Sequence, residues 1–145
     1  MIKIGFSGTR HGMPELQWWG VRKLLSNYRY LDIEFHHGDC VGADAQAHDM
    51  AVEDHAVIVI HPPINPVMRA YRKSDRLMPM KRYIERNRAI VSECDVLIAA
   101  PRSETEDNSG TWSTIRFARL MKKKIWIVSP KGAVRGEDVA SNPAT

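Results

Sequence analysis

Residues suited to binding a phosphate group gather in three short loops of this sequence. The loops read SGTR at residues 7–10, HGDCVGAD at residues 37–44 and SGT at residues 109–111. Glycine lets a backbone approach a ligand closely, and hydroxyl groups together with the free N–H groups of a helix start bind phosphate oxygens. Each loop alone is more typical of a helix cap. Helix capping alone does not explain why all three loops contain glycine, so we predict a shared ligand site.

The loops are positioned by short apolar runs that have the pattern of buried parallel strands. Five strands are predicted, at residues 2–6, 33–36, 56–60, 96–100 and 125–128. Between them the sequence predicts a helix opened by Pro14, helices over about 43–54 and 80–93, and a helix that begins at the third loop. This alternation predicts an α/β fold: a Rossmann-like, doubly wound three-layer sandwich with a five-stranded, mainly parallel sheet.

All three loops follow the C-terminal ends of predicted strands. Open α/β sheets bind ligands at that edge, where the order of the strands reverses, and helix starts there direct positive dipole ends toward the ligand. We expect residues 1–130 to form one domain and the polar residues 131–145 to form a frayed tail. The segment 61–79 lacks a period and is rich in proline and arginine, which is typical of a functional or mobile loop.

Several well-known site patterns are missing from the sequence. Neither a Walker A motif nor a strict dinucleotide fingerprint is present, which disfavours a P-loop enzyme and an ordinary dehydrogenase. Histidines occur at His36, His37, His48 and His61, but without HExxH or Cys-x-x-Cys spacing, so we expect no metal site and no cofactor. Asp44 and His48 are four residues apart on one predicted helix face, and we expect them to pair.

The charge and composition limit the partners and the location. A net charge of +4 and a pI of about 9.2 permit an anionic partner without requiring one. Residues 69–88 are rich in cations, which keeps single-stranded DNA binding open. The sequence has no apolar run near the roughly 20 residues of a membrane span and no signal-peptide pattern, and its two cysteines, Cys40 and Cys94, favour free thiols. We therefore expect a cytoplasmic protein without a membrane partner.

Taken in order, these motifs resemble the SLOG superfamily, and within it most closely the Rossmann domain of DNA-processing protein A. The resemblance spans about residues 2–130. Four segments carry it: GTR at 8–10, HHGDCVGADAQAH at 36–48, RNRAIV at 86–91 and SGTWSTIRFAR at 109–119.

The resemblance implies a nucleotide or ribose-phosphate derivative bound at the C-terminal edge of the sheet. Arg10 would contact a phosphate, Asp44 would suit a ribose hydroxyl and Arg86 would supply positive charge. The complete set of expected ligand-binding residues is Gly8, Thr9, Arg10, Gly38, Asp39, Gly42, Asp44, Arg86, Asn87, Ser109, Gly110, Thr111 and Thr114.

The superfamily also implies activities that differ from binding alone. Relatives of DNA-processing protein A bind single-stranded DNA, and cytokinin-activating phosphoribohydrolases cleave the N-glycosidic bond of nucleoside monophosphates. Those hydrolases place a glutamate four residues after the last glycine of their turn, where this chain has Thr114. The leading prediction is therefore non-catalytic binding for sensing or sequestering. A glycosidase that uses Glu104, Glu106 or Asp107 instead, and a DNA-binding protein, stay as alternatives; a homo-oligomer is implied by the resemblance.

Overall fold

The computed structural model describes residues 1–138, whose seven strands form one sheet with four helices packed on it. The elements are β1 (Ile2–Gly8), α1 (Glu15–Ser26), β2 (Ile33–His37), α2 (Ala43–Glu53), β3 (Val57–Ile60), β4 (Arg76–Leu77), α3 (Tyr83–Glu93), β5 (Val96–Ala100), α4 (Gly110–Leu120), β6 (Lys124–Val128) and β7 (Val134–Glu137). The predicted Rossmann-like α/β fold is confirmed. The strand number is wrong, since the sheet has seven strands rather than five.

The order of the strands places the ligand-binding edge. The sheet runs β4-β3-β2-β1-β5-β6-β7, and every neighbouring pair is parallel except β6 with β7. The chain builds outward from β1 in one direction and from β5 in the other, so the order reverses between these two strands. Their ends lie side by side, because Gly8 pairs with Ala100 in the register and the Thr9 N–H donates to the Ala100 carbonyl at 3.0 Å.

Two hydrophobic layers enclose the sheet because neighbouring strand residues point to opposite faces. In β5, Ile98 and Ala100 pack in a core cluster with residues of α1 and α2. The alternate residues Leu97 and Ala99 pack in a second cluster with the buried residues of α4. The strand is buried along its whole length, which explains its unbroken apolar sequence.

The two additional strands lie where the sequence predicted irregular structure. β4 is a two-residue strand inside the 61–79 segment, and β7 lies inside the predicted tail. β7 is largely exposed and carries no apolar alternation that would predict a strand, but it pairs antiparallel with β6. Glu137 of β7 also receives two hydrogen bonds of 2.8 Å from Arg119. Residues 131–138 are therefore held on the sheet, and the rest of the predicted tail lies outside the described residues.

The buried face of α1 leaves out two of its large apolar residues and includes a polar one. Leu16 and Trp19 are exposed, whereas Val21 and Leu25 are buried. Gln17 is also fully buried, and its Nε2 donates at 2.8 Å to the carbonyl groups of Pro101 and Val128, just past β5 and at the end of β6. A polar residue thus occupies a core position because it ties two strand ends together. Among residues 1–138, no helix is both long and apolar enough to cross a membrane.

Candidate functional site

A cavity of about 510 Å³ opens at the C-terminal edge of the sheet, where the strand order reverses between β1 and β5. Its walls come from the loops after β1, β2 and β5 and from the first turns of α2, α3 and α4. The three loops therefore meet at one cavity, as their positions after the strands predicted. Ten of the thirteen expected residues line it: Gly8, Thr9, Arg10, Gly38, Asp44, Arg86, Asn87, Ser109, Gly110 and Thr111.

Two glycines allow the first and second loops to pack tightly. A Cβ atom on Gly8 would lie 2.5 Å from the Cβ of Ala43, at the start of α2. Gly42 has a φ of +88°, and a Cβ atom there would lie 2.5 Å from the Arg10 carbonyl oxygen. The Ala43 N–H donates to the Thr9 carbonyl at 2.9 Å across this contact. Gly42 therefore shapes the loop from behind and does not line the cavity, contrary to the sequence expectation.

Asp44 presents a buried carboxylate to the cavity. Its Oδ2 accepts hydrogen bonds of 3.2 Å from the N–H groups of Gly38 and Cys40, which closes the second loop. Burial raises the pKa of Asp44 to about 6, although the nearby Arg86 guanidinium opposes this shift. The expected pair of Asp44 and His48 is wrong, because the His48 ring contacts His37 instead.

Arg86 is a buried cation in the cavity wall, with only 4% of its surface exposed. Its Nη1 donates to the carbonyl oxygens of Gly38 at 2.6 Å and His61 at 3.2 Å, and its Nε donates to Asn87 Oδ1 at 2.8 Å. A side chain on Gly38 would collide with the guanidinium. The glycine in the second loop therefore makes room for the arginine, which is held beside the cavity by three hydrogen bonds.

The third loop both caps a helix and opens onto the cavity. The Ser109 hydroxyl accepts from the Trp112 N–H at 3.4 Å and caps α4. Asp107 Oδ1 accepts from the Ser109 N–H at 2.8 Å, and the hydrogen bonds from Ser109 lower the pKa of Asp107. A Cβ atom on Gly110 would meet no heavy atom within 4 Å. Packing within the domain thus does not require glycine at position 110.

Two further expected residues have other roles. Asp39 is fully buried and lies outside the cavity lining. It accepts hydrogen bonds from Arg69 Nε at 2.9 Å and from the Tyr71 and Arg72 N–H groups at 3.1 and 3.0 Å. Asp39 therefore fastens the 61–79 segment to the second loop.

Thr114 is buried on α4 and donates to the Gly110 carbonyl at 2.8 Å. It faces a separate groove between α3 and α4 rather than the cavity. The expectation that it lies in the ligand site therefore does not match its position, since the helix turns its side chain away from the cavity.

Sequence reasoning missed several lining residues. Arg102 follows β5 and contacts His11 Nε2 at 3.0 Å, and Met68 reaches the cavity from the 61–79 segment. The position of Arg102, two residues after the end of a predicted strand, was a usable signal. Met68 had none, because it is brought to the cavity when the Val41 N–H donates to its carbonyl at 2.8 Å.

The arginines of the 61–79 segment are engaged in ion pairs. Arg69 bonds to Asp39 at 2.9 Å, Arg72 to Asp49 at 3.1 Å and Arg76 to Glu34 at 3.3 Å. These side chains therefore hold the segment against β2 and α2. Their charge is partly neutralised within the domain, which weakens the argument for DNA binding that the cation-rich sequence gave.

Four of the six histidines form two buried pairs. His37 Nε2 lies 3.0 Å from His48 Nδ1, and His36 Nδ1 lies 2.8 Å from His61 Nε2. Burial lowers the pKa of all four, and brings that of His61 to about 3. All four imidazole rings are therefore neutral at pH 7.

Solved structures with the same architecture include proteins of two kinds. The molybdenum cofactor carrier protein from Chlamydomonas reinhardtii matches with a TM-score of 0.68 and 17% identity over 87% of this chain and 75% of its own. DNA processing protein A from Streptococcus pneumoniae matches with a TM-score of 0.68 and 17% identity over 88% of this chain and 50% of its own. This chain has their fold. The molybdenum cofactor binding protein from Rippkaea orientalis matches similarly, with a TM-score of 0.66, 18% identity and coverage of 88% and 76%.

These matches confirm, at the level of the fold alone, the resemblance to DNA-processing protein A. No protein-family model matches the sequence, and no curated protein sequence matches it significantly. The chain spans half the length of the Streptococcus protein. At such identities the architecture is shared, whereas the ligand must be argued from this chain's own cavity.

Proposed function

We propose that this protein binds a nucleotide or a ribose-phosphate-derived ligand in the cavity between β1 and β5, without chemical turnover. The observation that carries the proposal is the convergence of two helix starts, a buried cation and a buried carboxylate on one cavity of about 510 Å³. The cavity is large enough for a ligand of nucleotide size. Its polar groups come from different elements of the fold, as in sites that fix one orientation of a ligand.

Each part of such a ligand has a matching group in the wall. The first turn of α4 has free N–H groups and the positive dipole end beside Gly110, which suits a phosphate. Arg10 and Arg102 add exposed guanidinium groups at the cavity. Asp44 and Asn87 offer oxygen acceptors for sugar hydroxyls or base N–H groups. The neighbours named for the molybdenum cofactor agree with a small-molecule ligand in this fold.

The proposal is tested by native mass spectrometry of the purified protein, followed by calorimetry with AMP and ADP. We expect a mass shift from a co-purifying ligand, or micromolar binding of at least one of the two nucleotides. The heat of that binding should disappear when the protein is already saturated with the same nucleotide. Absence of both would overturn the proposal.

DNA binding is distinguished by its salt dependence. One neighbour is named for the single-stranded DNA binding mode of DNA processing protein A from Helicobacter pylori. A chain that contacts several phosphates loses affinity steeply as salt rises, whereas a cavity holding one or two phosphates gives a shallow slope. Micromolar binding of an oligonucleotide with a steep slope, together with no nucleotide binding, would favour DNA over the small ligand.

A further inference from the structure

A cluster of metal-ligating side chains lies outside the cavity lining. His36 of β2, His61 just after β3 and Glu93 at the end of α3 bring three ligand atoms within 4.8 Å of one another. His36 Nδ1 lies 2.8 Å from His61 Nε2 and 3.9 Å from Glu93 Oε2. Both histidines are buried, and Glu93 is about one third exposed. Three elements that are distant in sequence thus meet at one point.

A second carboxylate fixes the orientation of His36. His36 Nε2 lies 2.7 Å from Glu34 Oε1, and because an ionised carboxylate only accepts, Nε2 carries the ring proton. The lone pair of the neutral ring is then on Nδ1, which faces His61 and Glu93. This is the arrangement in which a metal-binding histidine donates its other N–H to a carboxylate.

We propose that His36, His61 and Glu93 form a binding site for a divalent metal ion of the zinc class. Two imidazole nitrogens and one carboxylate oxygen form a ligand set that zinc accepts, with solvent as the fourth ligand. Water can reach the fourth position from the side of Glu93, which is the exposed member. This revises the sequence expectation of no metal site, and it is independent of the ligand proposed for the cavity.

The cluster needs only a small rearrangement to close around an ion. Zn–N bonds of about 2.0–2.1 Å in a tetrahedral site place two nitrogens roughly 3.3 Å apart, so the rings must separate by about 0.5 Å. His61 transfers its ring proton from Nε2 to Nδ1 and stays neutral, so no proton is lost. Glu93 moves closer from the end of its helix, where its exposed side chain has room.

The local charge is compatible with a dication. Glu34 and Glu93 are both within reach of Arg76, at 3.3 and 4.0 Å. With neutral imidazole rings the group carries a net charge of −1, which a divalent ion changes to +1. The other histidine pair differs: the His37 Nδ1 accepts from the Asp39 N–H at 2.9 Å, so its Nε2 donates to His48. Within residues 1–138, no third ligand accompanies that pair.

The test uses Co²⁺ as a spectroscopic probe and Zn²⁺ for thermal stability, with untagged full-length protein. The variant is Glu93→Gln, and the matched control is Glu53→Gln, since both glutamates are the last residue of an eleven-residue helix. We expect one Co²⁺ per chain with the intense visible bands of four-coordination, and at least tenfold weaker binding in Glu93→Gln. The control should bind Co²⁺ like the parent.

Zinc should also raise the melting temperature of the parent and of Glu53→Gln, because an ion that binds only the folded state stabilises it. Glu93→Gln should show a smaller rise at the same concentration. Two results would overturn the proposal. One is the absence of four-coordinate Co²⁺ bands in the parent, and the other is equal affinity in all three proteins, which would assign the binding to exposed histidines such as His11 and His55.

Discussion

At the residue scale, Gly110 gives the sharpest test of the ligand site. Replacing Gly110 with valine adds a side chain where no heavy atom lies within 4 Å, so the folded domain can accept it. We expect Gly110→Val to weaken nucleotide binding at least about tenfold, because the side chain occupies the space beside the helix start. Calorimetry measures the affinity, and circular dichroism checks that the melting temperature is unchanged.

The matched control for Gly110 is Ser113→Val, which adds a branched side chain to the same helix. Ser113 is exposed and lies at the outer groove between α3 and α4. This control should bind like the parent. Equal affinity in Gly110→Val and the parent would remove the α4 start from the site.

Asp44 predicts how stability depends on pH. Its pKa is about 6 in the folded protein, above the ordinary value of 3.8, so the folded state holds the proton more tightly. Protonated Asp44 therefore contributes to the free energy of unfolding. This contribution is complete below about pH 4, is lost as the pH rises to about 6 and changes no further above that pH. A shift of about two pKa units corresponds to roughly 3 kcal/mol. Asp44→Asn mimics the neutral acid and should lack this loss.

Urea unfolding of the parent and of Asp44→Asn at pH 4 and pH 7 measures this effect. The parent should lose more stability than the variant between the two pH values, since titrations of the other groups are common to both. Glu53→Gln, at the exposed end of the same helix, should behave like the parent. Identical pH dependence in the parent and Asp44→Asn would show that Asp44 is ionised at little cost.

At the scale of elements, the orientation of α4 decides what Thr114 can tolerate. The sequence analysis places Thr114 in the ligand site, but the side chain is 3% exposed and packs between helices, so Thr114→Glu should be poorly tolerated. Burying a carboxylate there, without the hydrogen bond to Gly110, should lower the free energy of unfolding by roughly 2 kcal/mol or more. Chemical denaturation measures the loss, and Ser113→Glu, exposed one residue earlier, should change stability by less than about 0.5 kcal/mol.

At the scale of the whole molecule, the carboxylates of the 104–107 loop are poorly placed to serve as the displaced acid of a glycosidase. Glu106 is bound by Arg119 at 3.1 Å, and Glu104 does not line the cavity. Asp107 does line it, with a lowered pKa that leaves it ionised and unsuited to donate a proton. We therefore expect no release of adenine from AMP, measured by chromatography. Turnover near ~1 per second that is lost in Asp107→Asn and kept in Glu104→Gln would make this protein an enzyme.

The sequence by itself determined the five inner strands of the sheet and the edge at which the three loops meet. Buried parallel strands are continuous apolar runs, and their C-terminal ends share one edge, so the loops carrying Gly8, Gly38 and Gly110 could be placed together. Both inferences depend on the apolar pattern of short segments and on the common direction of parallel strands, and neither requires knowledge of contacts between distant side chains.

Only the tertiary structure decided the direction and the partner of individual side chains. Asp39 turns inward to hold the 61–79 segment, Thr114 packs between helices and β7 joins the sheet although its residues are polar. The cluster of His36, His61 and Glu93 does not form a recognisable metal-binding motif in the sequence, because its members come from two strand ends and a helix end. These features depend on neighbours through space, which the order of residues along the chain does not specify.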